Sequence, residues 1–201
     1  MPTVLLIRHG ENEYVAKGRL AGRLPGVHLN ARGLAQAQAL AAGLKHVKLT
    51  AIYSSPLERA METAQPLAAA NKLSIVKRKG LLESDLGQWE GKLLKTLQKD
   101  KRWAVLQNRP SVFRFPGGEG MLEQQARLVT EVEALRAMHK PKDTIACVLH
   151  ADPIKLIIAH YAGMPLDQFQ RLQISTASVS TLLLHDGRSM LQRLNWTAPE
   201  N

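Results

Sequence analysis

The side chains in this sequence best suited to chemistry are Arg8 and His9, Arg59, Glu83 and His150. A planar guanidinium can hold two phosphate oxygens at once. A neutral imidazole can attack phosphorus or shuttle a proton. A carboxyl group kept protonated near neutral pH can give that proton to a departing alkoxide. Together these are the parts of a phosphoryl-transfer centre. Taken singly, each has a plainer reading: Arg8–His9 as a capped or solvated pair, Glu83 as a solvated loop carboxylate. Placement has to decide between them.

The elements around these residues predict a common location. Thr3–Gly10 (TVLLIRHG) begins with a short apolar run that reads as a buried strand, with Arg8 and His9 at its end and Gly10 permitting a sharp turn. Ala51–Ser54 reads as a second strand. Ser55 as cap and Pro56 at the first helical position would then open a helix through about Ala70, with Arg59 in its first turn. Leu73–Val76 is a third strand, followed by an irregular segment, Lys79–Gly91, that carries Glu83, Asp85 and Glu90. Thr144–Leu149 is a fourth strand that His150 follows directly, and Asp152–Pro153 read as the N-cap and first residue of a helix through about Tyr161.

Between these lie further expectations. Glu11–Pro25 and Asn108–Gly120 read as loops. Asn30 caps a helix over Ala31–Leu44, and Lys92–Lys99, Glu119–Met138 and Pro165–Arg171 are helical. Ser178–His185 and Ser189–Asn195, split by Asp186–Gly187–Arg188, read as a hairpin. Strands alternating with helices predict a mainly parallel sheet covered on both faces, a three-layer α/β/α sandwich with at least one antiparallel strand. In a parallel sheet the ends of the first four strands share one edge, where ligands of open α/β sheets bind. Both arginines, both histidines and Glu83 would meet there beside a helix N-terminus, which favours an anion. With a phosphate monoester in that crevice, Arg8, Arg59 and protonated His150 would neutralise its oxygens. His9 would attack in line, and Glu83 would protonate the leaving group and later activate water. The cations are all side chains, so no metal and no cofactor is expected.

Composition sets further bounds. The chain has 201 residues and a net charge of +10, with 27 Lys and Arg against 17 Asp and Glu. The basic residues are scattered and only 4% of residues are aromatic, so stacking platforms for single-stranded nucleic acid are scarce. No apolar run approaches the ~20 residues of a membrane span. No signal peptide is recognised, and Cys147, the single cysteine, has no intrachain disulfide partner; both fit a cytoplasmic location. His28, His46, His139, His160 and His185 lack metal-ligand spacing, and Gly117, Gly118 and Gly120 form no nucleotide-binding fingerprint. Trp89 is expected to pack beneath the loop that carries Glu83.

RHG at Arg8–Gly10, SSPLERAMETA at Ser54–Ala64, LLESDLGQWEG at Leu81–Gly91 and the strand-ending His150 resemble the histidine phosphatase (phosphoglycerate mutase-like) superfamily. The stretches GRLAGRLPGVHLN and PSVFRFPGGE resemble a bacterial subgroup labelled probable phosphomutase. The resemblance implies one such domain over residues 1–201, with His9 as the phosphorylated nucleophile, Glu83 as proton donor, and Arg8, Arg59 and His150 as the phosphate pocket. It adds Asn12, Gly22 and Ala151 to the phosphate- and substrate-binding residues. Family members often have Asn where Val15 stands and glycines after the second histidine, where this chain has Ala151–Asp152. Glycolytic mutases carry an aromatic at Leu86 and a lysine at Leu94, so their absence here speaks against that activity. The resulting expectation is a metal-independent phosphomonoester hydrolase acting on a small phosphorylated metabolite. The alternatives are a phosphomutase using the same residues and a non-catalytic anion or nucleic-acid binder. Expected partners are the small substrate and, at most, a second copy of the chain as a homodimer, with no nucleic acid and no membrane.

Overall fold

A computed structural model describes residues 2–185 and 188–199. Its centre is a six-stranded sheet: β1 (Thr3–Arg8), β2 (Ala51–Ser54), β3 (Ile75–Lys77), β4 (Thr144–Leu149), β5 (Val179–His185) and β6 (Arg188–Trp196), in the order β3-β2-β4-β1-β5-β6. β1 to β4 run parallel; β5 is antiparallel to β1, and β6 to β5. The expected terminal hairpin is present. Its DG turn, Asp186–Gly187, and the side chain of His185 lie outside the described residues.

β1 and β4 are apolar on both faces because both faces are covered. Val4, Leu6, Ile145, Cys147 and Leu149 point into one core, under helices α6 (Met121–Ala137) and α7 (Ala151–Tyr161). Leu5, Ile7, Ala146 and Val148 point into the other, under α2 (Ala31–Gly43) and α3 (Glu58–Asn71). The period of two along each strand therefore separates the layers. Cys147 is buried as a free thiol.

Several boundaries differ from the sequence reading. The first loop contains a one-turn helix, α1 (Glu13–Ala16), capped by the Asn12 side chain, which accepts from the Val15 amide. The α3 helix starts at Glu58 rather than Pro56, with Leu57 as N-cap, and the Ser55 hydroxyl accepts weakly from the Leu57 amide (3.5 Å) while it meets His150 at 2.9 Å. The third strand begins at Ile75, and the helix expected over Lys92–Lys99 shrinks to α4 (Leu94–Leu97). A helix that the sequence reading left out, α5 (Lys101–Asn108), is capped by Asp100, which accepts from the Arg102 amide at 2.9 Å. Leu166–Arg171 is a 3-10 turn. His150 itself is the N-cap of α7, so Asp152 lies in the first turn and pairs with Lys155 at 3.3 Å instead of capping. Among the described residues no helix is long and apolar enough to cross a membrane.

Candidate active site

The register of the sheet brings the two histidines together. Arg8 is level with Leu149 across the β1–β4 pair, and the His9 amide donates to the Leu149 carbonyl at 3.0 Å. His9 and His150 therefore leave neighbouring strands at the same height, and their rings meet edge-on with centroids 5.2 Å apart. Gly10 does not serve the sharp turn predicted for it. It allows close approach instead: a Cβ there would lie 2.6 Å from the Gly33 carbonyl oxygen at the start of α2. The Gly10 amide is held by the Thr63 hydroxyl of α3 at 3.0 Å.

His9 is 4% exposed. Its Nδ1–H donates to the Gly10 carbonyl at 2.7 Å, which leaves Nε2 with the lone pair. Burial, then the charges of Arg59 and Arg8, push its pKa well below the usual imidazole range, so the ring is neutral. Arg59 is 1% exposed and links the parts of the site. Its Nε donates to His9 Nε2 (3.3 Å), and one terminal nitrogen donates to the Gly22 carbonyl (2.8 Å) and His150 Nδ1 (3.3 Å). Gly22 is needed there: its φ is +54°, and a Cβ would fall 2.5 Å from the Glu90 carboxylate. Arg8 is anchored by donation to the Ile174 carbonyl at 2.7 Å.

Burial and the neighbouring Arg59 push the pKa of His150 well below the usual imidazole range, so the ring is neutral where no anion is bound. Its Nε2–H faces the Ser55 hydroxyl at 2.9 Å, and Nδ1 faces Arg59 and, at 3.8 Å, the Glu83 carboxylate. Glu83 behaves as its proposed chemistry requires. Burial first, and the nearby Asp152 second, push its carboxyl pKa up to about 7 against the pull of Arg59 and Arg8. The same two residues thus work in opposite senses: Arg59 draws Glu83 towards ionisation and Asp152 keeps it protonated.

Glu83 sits on a braced loop. Arg23 Nε donates to the Glu83 carbonyl at 2.8 Å, and Arg127 donates to the carbonyls of Gly80 and Leu82 at 2.7 and 3.1 Å. Both arginines converge on Glu119, which takes two bonds from Arg127 (2.8 and 2.9 Å) and one from Arg23 (3.2 Å). Trp89, at the end of the same segment, is fully buried against Trp103, Phe113 and Phe115. The sequence reading missed Ser55 as the residue orienting His150; its place one step beyond β2, level with the other strand ends, is the signal that could have found it. It also missed Arg23, Glu119 and Arg127, which lie far apart in the chain and carry no local signature.

Arg8, His9, Asn12, Gly22, Arg59, Glu83 and Ala151 line one cavity of about 370 Å3, with His150 buried behind Arg59. Three buried donors of this lining, Arg8 Nε, Arg59 Nη1 and Asn12 Nδ2, have no protein partner. Buried donors are normally satisfied, so these three mark where an acceptor-rich ligand belongs. Asp85 and Glu90, the alternative acids, serve structure: Asp85 accepts from the Gly87 amide and Glu90 from the Arg23 amide.

Comparison with known proteins places the chain among relatives of similar length and fold. Phosphoserine phosphatase 1 of Hydrogenobacter thermophilus is 31% identical over 98% of this chain and 93% of its own. The 2,3-bisphosphoglycerate-dependent phosphoglycerate mutase of Thermoplasma acidophilum is 28% identical over 94% of this chain and 90% of its own. Among solved structures, a mutant phosphoserine phosphatase from Entamoeba histolytica in complex with phosphoserine superposes with a TM-score of 0.88 at 26% identity, covering 97% of both chains. A putative alpha-ribazole-5'-P phosphatase from Escherichia coli gives 0.87 at 27% identity, covering 98% of this chain and 97% of that one. The model of the histidine phosphatase superfamily (branch 1) matches residues 4–197, and the chain belongs to that superfamily.

Proposed function

We propose that the protein is a phosphomonoesterase that works through a phosphohistidine at His9. The observation that carries this reading is the trio of unpaired buried donors around a neutral, buried imidazole whose Nε2 bears the lone pair. A phosphate dianion would take donors from Arg8, Arg59, Asn12 and the N-terminal amides of α7 at Ala151. Arg59 Nε would exchange His9 Nε2 for a phosphate oxygen, which frees the lone pair to attack. The dianion would also offset the positive field that keeps His150 neutral, so that Nδ1 gains a proton while Nε2–H stays on Ser55.

In the first step the His9 Nε2–phosphorus bond forms and the ester P–O bond breaks. Glu83 gives its proton to the departing alkoxide and is left as a carboxylate. In the second step that carboxylate takes a proton from water, the oxygen attacks phosphorus, and inorganic phosphate leaves with His9 neutral again. Side-chain cations supply the charge stabilisation.

The reading is tested with p-nitrophenyl phosphate and a panel of alkyl phosphate esters. Phosphate release that persists in chelator and disappears in His9→Ala supports it; release that needs added magnesium, or survives in His9→Ala, contradicts it. A phosphomutase is the second reading, favoured by the Thermoplasma relative. It predicts isomerisation of a phosphorylated substrate, stimulated by a bisphosphorylated primer, in place of net phosphate release.

A further inference from the structure

The cavity has a second half that phosphate does not fill. Beyond the arginines its wall is formed by Leu20, Leu86, Leu94, Trp103, Leu106 and Phe115. Leu94 belongs to α4, Trp103 and Leu106 to α5, and Leu86 and Phe115 to the loops between which Trp89 is packed. The wall is rigidly backed: Trp103 stacks on Trp89 with ring centroids 6.1 Å apart, and Phe115 meets the same ring at 5.7 Å.

The buried cation in this half is already matched. Lys155 is only 15% exposed, but its ammonium lies 3.3 Å from Asp152 and 3.0 Å from the Gln170 side-chain oxygen. Asp152 is itself a lining residue, so a substrate carboxylate would meet its negative charge. The remaining polar lining in this half includes the neutral amides of Gln107 and Gln170. Arg19 also reaches the cavity, but it is solvent-exposed, where an ion pair contributes little. A site built to hold a carboxylate presents a desolvated, uncommitted donor to it. Among the residues that line the cavity, the donors of that kind are Arg8 Nε, Arg59 Nη1 and Asn12 Nδ2, all at the phosphate end.

We infer that the alcohol released from the natural ester is uncharged and carries a bulky apolar or aromatic body, unlike the small carboxylate-bearing alcohol of phosphoserine. This inference rests on the phosphomonoesterase reading above. Such a body covers the leucine and aromatic wall, which a two- or three-carbon alcohol would leave wet. It also leaves the Asp152–Lys155 pair undisturbed.

The test compares kcat/KM for phosphate release from 2-phenylethyl phosphate, ethyl phosphate, phosphoserine and 3-phosphoglycerate. The first two are simple alkyl esters that make similar demands on Glu83, so their ratio reads the wall alone. One methylene in an apolar pocket is worth about 10–200-fold, so the phenyl ring should favour 2-phenylethyl phosphate over ethyl phosphate by about 100-fold or more. Phosphoserine and 3-phosphoglycerate should fall below 2-phenylethyl phosphate by a similar factor. Trp103→Ala, and the gentler Leu94→Asn on a half-buried residue, should each shrink the phenylethyl-to-ethyl ratio by about tenfold. Asp152→Asn should raise 3-phosphoglycerate relative to 2-phenylethyl phosphate. A phenylethyl-to-ethyl ratio near one, or a preference for phosphoserine while all esters are still cleaved, overturns the inference and leaves the phosphatase reading standing. No phosphate from any ester, with no phosphoryl group on His9 after p-nitrophenyl phosphate, overturns both.

Discussion

The cavity has two ends built on different principles. The phosphate end hangs on the ends of β1, β2 and β4 and the first turns of α3 and α7, and its reactive side chains are buried and mutually bonded. The far end hangs on α4, four residues long, on α5, eight residues long, and on irregular loops; Leu86, Leu106 and Phe115 are buried there, and Leu20, Leu94 and Trp103 are partly exposed. In the first, sheet register sets His9, Ser55 and His150, so a shift of one residue would dismantle it, and a braced loop brings Glu83 to them. In the second, the wall depends on short elements that can be re-lined without disturbing the sheet. The chemistry of the reaction is therefore held by the sheet, and the preference for a substrate by the appended helices. Substitutions at the two ends should have different kinetic signatures.

The largest effect belongs to His9. His9→Ala should abolish turnover of alkyl and aryl esters alike, by about three decades or more, since no other group can take the phosphoryl. Next is Glu83→Gln, which should cost alkyl esters about two to four decades but spare the first step with p-nitrophenyl phosphate, whose phenolate leaves without a proton. The wild-type pH profile should show the same group. Because the carboxyl pKa is raised to about 7 and the protonated form is the acid, kcat/KM for alkyl esters should fall as pH rises through about 7. The aryl ester should lose that limb. A flat alkyl profile between pH 6 and 8 would remove Glu83 from the acid role.

Arg59→Ala should follow, at about one to two decades in kcat/KM, equal to a lost charged hydrogen bond of roughly 1.5–3 kcal/mol. Glu119→Gln should be the smallest, about three- to tenfold, because it acts only through the loop that carries Glu83. Its loss should fall on alkyl esters more than on the aryl ester, as for Glu83 itself. Equal losses for both ester types would mean that Glu119 supports the fold in general rather than the position of the acid.

The two ends also differed in how far they could be read from sequence. Strands β2 and β4 were found with their observed bounds, because short apolar runs between turn signals have few other readings. Once the four parallel strands were placed, Arg8, His9, Arg59, Glu83 and His150 followed as neighbours. Local capping rules failed at the same edge, where Ser55 and Asp152 were assigned to helix ends. Ser55 bonds His150 across the site and only weakly meets the Leu57 amide, while Asp152 lies inside α7 because His150 takes the N-cap position, and pairs with Lys155 one turn on. That the proton on His150 depends on a bound anion is not legible in the sequence, because burial and the Arg59 charge are three-dimensional facts. The far end is barely legible: α5 is short, opens on Lys101 and Arg102 and has a weak apolar stripe, and only packing on Trp89 shows what Trp103 is for.

The central claim is that the phosphoryl group passes through His9, with Glu83 serving both steps. It is tested most directly by rapid quench of Glu83→Gln mixed with p-nitrophenyl phosphate in excess. The account predicts a burst of p-nitrophenolate of about one equivalent per enzyme, then a slow steady state, because the first step needs little acid and the second lacks its base. An acid-labile, alkali-stable phosphoryl label should map to His9, and the His9→Ala variant should show neither burst nor label. A burst that persists in His9→Ala, or a label on any other residue, would contradict it.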